Sequence, residues 1–183
     1  MHNRRSTPLV LLALLAVGWT LAVRVGLFRL RLAAGRLAAA VPNRFLPKQL
    51  SVLPPPPAEY VGVWTVAPQQ ARQTLTECGF SQLLRAYLHG YSRGDRTVHE
   101  IGSYVYRPNG VFSHNQLHVR LFPTAAGHTE VWAHWETNPN RAPRSHLQKV
   151  GYDPAEGERR LRAMLGDEPL INPAPEHRPD FVQ

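Results

Sequence analysis

Val111-Phe-Ser-His-Asn-Gln-Leu-His-Val-Arg-Leu-Phe122 and Thr129-Glu-Val-Trp-Ala-His-Trp-Glu-Thr137, joined through Pro123-Thr-Ala-Ala-Gly127, are the two runs whose reading decides the fold. Both alternate, and successive residues of a strand face opposite sides. In the first run Leu117, Val119 and Leu121 share one face, and His114, Gln116, His118 and Arg120 the other. In the second, Val131, Ala133 and Trp135 oppose Glu130, Trp132, His134 and Glu136. A three-residue loop at Ala125-Ala-Gly127 closes these runs into a hairpin. Its register sets His118 beside His134 and Gln116 beside Glu136, with Arg120 over Trp132 as a cation–π pair.

Working outward, Glu59-Tyr-Val-Gly-Val-Trp-Thr-Val66 predicts a strand. Pro68 opens a short helix with the stripe Ala71, Leu75 and Cys78, and Gly79 stops it. Strands are expected at 82–91 and 97–107, bounded by the turn sequences Ser92-Arg-Gly-Asp95 and Pro108-Asn-Gly110. Asp153-Pro-Ala-Glu156 is a capping box with proline at the first helical position, opening a helix to Leu165 with Gly166 as its stop. The order β-α-β-β-β-β-α predicts an α+β domain, an antiparallel sheet with helices packed on one face.

The charge divides the chain. Its formal net charge is +8, yet every acidic residue lies at or beyond Glu59, where 13 acids meet 13 bases. The eight earlier bases flank and follow the apolar run Pro8–Val23, which Val25-Gly-Leu-Phe28 extends past Arg24. About 20 apolar residues cross the ~30 Å hydrocarbon layer, and Arg24 can snorkel to the interface. Residues 1–28 therefore predict an N-terminal transmembrane helix. A cleaved signal peptide is the competing reading, but the small residues Ala38-Ala-Ala40 lie too far from the apolar core. Leu27, Leu30, Ala34, Leu37 and Val41 cluster on one helical side between flanking arginines, which suits an interfacial helix or a stalk. Residues 29–57 read as a basic juxtamembrane segment with a proline spacer, 58–166 as the α+β domain, and 167–183 as an extended proline-rich tail. A short basic N-terminus favours an exported domain, although more positive charge follows the run than precedes it.

These features exclude some functions. A domain without net positive charge cannot neutralise many phosphates, so no nucleic-acid partner is expected. One cysteine, Cys78, allows no internal disulfide. No Gly-rich phosphate loop, H-E-x-x-H or G-x-S-x-G motif occurs in the sequence. The alternating polar positions suit a solvated sheet face. They also suit a ligand or partner face made of His114, Gln116, His118, Arg120, Trp132, His134 and Glu136. Within it, His118, His134 and Glu136 could converge on a metal ion. Arg141, Arg144 and Lys149 make a basic segment able to receive an anion.

The expectation is a single-pass membrane protein that contacts lipid through its anchor and displays a non-catalytic binding or accessory domain. That domain needs no cofactor and meets a protein partner or a small ligand. The alternative is a membrane-tethered hydrolase, or another enzyme, using the polar face with one divalent metal ion.

Overall fold

The computed structural model describes residues 52–83, 88–93, 96–166 and 170–171, with scattered positions between Leu15 and Phe45. In chain order its elements are β1 (Val52–Leu53), β2 (Tyr60–Trp64), α1 (Pro68–Glu77), β3 (Ser81–Gln82), β4 (Leu88–Arg93) and β5 (Arg96–His99). There follow β6 (Gly102–Tyr106), β7 (Asn115–Pro123), β8 (Thr129–Thr137), α2 (Pro143–Leu147), α3 (Pro154–Leu165) and β9 (Leu170–Ile171). The fold is α+β.

The central hairpin forms with the expected register: His118 opposes His134, Gln116 opposes Glu136, and Arg120 opposes Trp132. The Thr124 amide donates to His128 O and the His128 amide to Thr124 Oγ1, leaving Ala125-Ala-Gly127 as the loop. Gly127 there takes φ 81°, a left-handed conformation that a residue with a Cβ adopts only under strain. This hairpin is the centre of a six-stranded sheet of order β3-β6-β7-β8-β2-β9, with every pairing antiparallel.

Helices α1 and α3 pack on the face carrying Leu117, Val119, Leu121, Val131 and Ala133. They contribute Ala71, Leu75, Leu161 and Leu165 to one core cluster. Each fully buried leucine there contributes about 1.5–3 kcal/mol. Helix α3 follows its signals closely. Pro154 is its first residue, Asp153 caps it by accepting from the Glu156 amide at 2.9 Å, and Gly166 ends it. The reciprocal half of the capping box is replaced: the Asp153 amide donates to Trp135 O, and the Glu156 carboxylate binds Arg159 and Arg160. Asp153→Ala should cost about 1 kcal/mol in a denaturant titration, the usual loss for an N-cap acceptor.

The strand order β-α-β-β-β-β-α needs correction, because two expected strands are each divided between two sheets. Of 82–91, Ser81–Gln82 joins β6, whereas Leu88–Arg93 belongs to a three-stranded sheet of order β1-β4-β5. Of 97–107, the division falls at Glu100-Ile101. The Glu100 amide donates to His89 O in the small sheet, and the Ile101 amide donates to Leu121 O in the large one. A strand that changes sheets at a corner keeps its alternation, so periodicity does not reveal the change. The run 111–122 also starts late, since Gly110–Phe112 is a 3-10 turn and β7 begins at Asn115.

Two short segments beyond the expected strands pair as well. Val52–Leu53 lies parallel to β4, and Leu170–Ile171 lies antiparallel to β2. The apolar run 8–28 falls largely outside the described residues. Among the described residues no helix is long and apolar enough to cross a membrane.

Candidate functional site

Gln116, His118, Arg120 and Phe122 of β7 share the sheet face opposite the helices with Glu130, Trp132, His134 and Glu136 of β8. This face is not solvated. Gln116 and Trp132 have no exposed surface, and His118 and His134 are 3 % and 2 % exposed. The small sheet accounts for much of the cover. Tyr91 packs edge-on against Phe122 and bonds Glu130 through its hydroxyl, and Val98 packs on the same cluster. Glu59, Tyr152 and His146 close on the remainder from the turn before β2, the residue before the α3 cap, and α2. A polar layer therefore lies buried inside the fold, and the reading of a solvated face is overturned. Alternation reports only that one face is polar; here that face is covered by Tyr91 and Val98 at one end and by Glu59, Tyr152 and His146 at the other.

The layer is organised around two carboxylates. Glu59 is bound by Arg120, by His134 Nδ1 at 3.1 Å and by the Tyr152 hydroxyl at 2.7 Å. Burial alone would raise its pKa, but Arg120, His134 and Tyr152 hold it down at about 2. Glu136 receives His134 Nε2 at 3.1 Å and Gln116 Nε2 at 2.6 Å, and His146 Nδ1, bonded to Thr137 O at 3.0 Å, lies 3.2 Å from it. These donors, His134 foremost, likewise outweigh burial and keep it below the usual carboxylate range. Burial would push the His134 pKa down, but its bonds to Glu136 and Glu59 raise it. His118 goes the other way. Burial, Arg120 and His134 push it well below the ordinary histidine value, so it is neutral.

His118 Nε2 lies 2.8 Å from Ser103 Oγ, and His118 Nδ1 lies 3.7 Å from Glu136 Oε1. One ligand atom from each of His118, His134 and Glu136 falls within 4.8 Å of the others. Ser103, His118 and Glu136 also follow the order of an acyl-transfer triad. However, the 3.7 Å separation is outside hydrogen-bond range, and Ser103 has no exposed surface from which to attack a substrate.

The expected site residues thus divide. Gln116, His118, Arg120, Trp132, His134 and Glu136 come together. Arg120 lies beside Trp132 in the ladder, but its guanidinium is committed to Glu59, and its buried Nε has no hydrogen-bond partner among the described residues. His114 precedes β7 and is exposed, its Nδ1 3.1 Å from Asn115 Oδ1. Arg141, Arg144 and Lys149 are exposed on the turn and short helix that deliver His146.

Several members of the layer carried no readable signal. Glu59 sits in a 3-10 turn where a strand start was expected, and Tyr152 precedes a helix cap. Ser103 alternates correctly with Val105, but the eight-residue connection 107–114 gives no tight turn from which to set its register against His118. A second charged group continues the layer: Glu100 binds Arg31 at 3.2 Å and His89 at 3.4 Å. Burial and Arg120 lower the His89 pKa against the pull of Glu100.

Comparison with family models, with curated proteins and with solved structures found no match.

Proposed function

We propose that this chain is a single-pass membrane protein whose residues 8–28 form the anchor. Its α+β body, on the exported side, is a non-catalytic binding or accessory module that takes a small ligand into the polar layer. The carrying observation is that layer itself. Glu59, Gln116, His118, Arg120, His134 and Glu136 are all buried and converge from three parts of the chain. Burying charges contributes little net stability even when they are well paired. Clusters of buried, shifted titratable groups are characteristic of binding sites. The anchor rests on the 21-residue run 8–28, free of charge except for Arg24 and flanked by arginines without an acid.

Fractionation followed by native mass spectrometry tests both halves. The full chain should sediment with membranes and resist alkaline extraction. Released gently from detergent, it should carry a small bound mass that is lost on denaturation. A chain found in the soluble fraction, with the bare polypeptide mass in every preparation, would overturn the reading.

A further inference from the structure

We infer that the ligand of the polar layer is one divalent transition-metal ion, held by His118, His134 and Glu136. The inference rests on the binding-module reading and deepens it.

The three ligand atoms lie within 4.8 Å of one another. Around a tetrahedral ion with ligand bonds of ~2.1 Å, neighbouring ligand atoms stand about 3.4 Å apart. Side-chain movements of about 1 Å therefore complete the set. The donors come from facing positions of one rigid ladder, with His118 opposite His134 and Glu136 two residues further along β8. Two imidazoles and one carboxylate suit zinc or iron and do not suit magnesium or calcium, which take oxygen ligands.

The stronger argument is that each ligand is already oriented by a partner behind it. His134 Nδ1 lies against Glu59 Oε1 at 3.1 Å, which leaves Nε2 toward the shared point. His118 Nε2 lies against Ser103 Oγ at 2.8 Å, which leaves Nδ1 on the Glu136 side. Gln116 holds Glu136 at 2.6 Å, and Arg120 and Tyr152 hold Glu59 in turn. Metal-ligating histidines characteristically give their second nitrogen to a carboxylate or another fixed acceptor, which sets tautomer and ring orientation. An ion at the shared point takes the position of the His134 Nε2 proton now directed at Glu136.

The test uses the full chain, purified in detergent without a metal-affinity tag. Elemental analysis should find about one zinc or iron per chain, the count of a single set of three protein ligands. After chelation, added Co²⁺ should restore one equivalent, with visible d–d absorption typical of nitrogen and oxygen ligands. His118→Ala and His134→Ala should abolish it, and His114→Ala should leave it intact. Because the alanine variants could fail to fold, Ser103→Ala supplies a milder probe. It should keep the stoichiometry and weaken the affinity by about 10–100-fold.

Absence of metal and of Co²⁺ binding in the folded wild-type chain would overturn the inference, as would binding undiminished in both histidine variants. An organic bound mass without metal would overturn it too, and would leave the binding module standing. A bare chain in the soluble fraction would remove both.

Discussion

Arg120→Ala should destabilise the protein by about 3 kcal/mol or more, measured as a shift in the denaturant midpoint at unchanged m-value. Removing one partner of a buried pair usually costs about 3–5 kcal/mol, since the other charge is left uncompensated. Glu59 is only 2 % exposed, so water replaces little of what the arginine supplies. His134 and Tyr152 still donate to it, so the loss falls toward the lower end of that range. The paired replacement Glu59→Gln with Arg120→Met should recover most of the stability. It removes both charges together, and glutamine can still accept from Tyr152. If the double variant is as unstable as the single one, the uncompensated Glu59 charge is not the source of the loss, and the specific hydrogen bonds of the Arg120–Glu59 pair are what the layer needs.

Gly157→Ala should cost about 1–3 kcal/mol, although alanine is by far the better helix former. The intrinsic gain in a helix interior is only about 1 kcal/mol. Against it stands a clash with backbone. A Cβ at position 157 would lie 2.4 Å from His134 Cα and 2.6 Å from the His134 carbonyl carbon. Neither atom can rotate away, so α3 must lift from β8, at the cost usual for overpacked cores. The lift also strains the bridge in which Trp135 and Asp153 exchange backbone hydrogen bonds. Thermal unfolding of this variant beside Ala155→Gly, an exposed position on the same helix, separates propensity from clash. A stabilised Gly157→Ala would mean that the helix rides higher on the sheet than described.

The sequence carried the hairpin and the helix ends because their signals are local. Alternation fixes which residues share a face, and a three-residue loop with glycine fixes the register, so the pairing of His118 with His134 could be read directly. Asp153, Pro154 and Gly166 likewise mark α3 without reference to the rest of the molecule. What covers the polar face could not be read, because His134 looks the same along the chain whether water or the Tyr152 ring lies against it. The assignment of 82–91 and 97–107 to one sheet failed for a related reason. Glu100-Ile101 continues an extended backbone while changing partners from His89 to Leu121, and strand propensity says nothing about partners. Glu59 shows the limit most clearly, since its place beside Arg120 depends on contact between residues 61 positions apart.

The pairing of Arg31 with Glu100 has a mechanical consequence when set beside the pairing of Val52 with Leu88. Residues 32–51 are thus bracketed by two contacts with the small sheet and its flank, Arg31 on Glu100 and Val52 beside Leu88. Closing a loop of that length costs roughly 2.5 kcal/mol of chain entropy, which the two contacts must offset. For a chain held in a bilayer by residues 8–28, the point of attachment is then Arg31, three residues past Phe28. Even fully extended, three residues reach only ~10 Å. Were residues 8–28 to cross a bilayer as proposed, the Arg31–Glu100 contact would hold the small sheet within about that distance of the span's end.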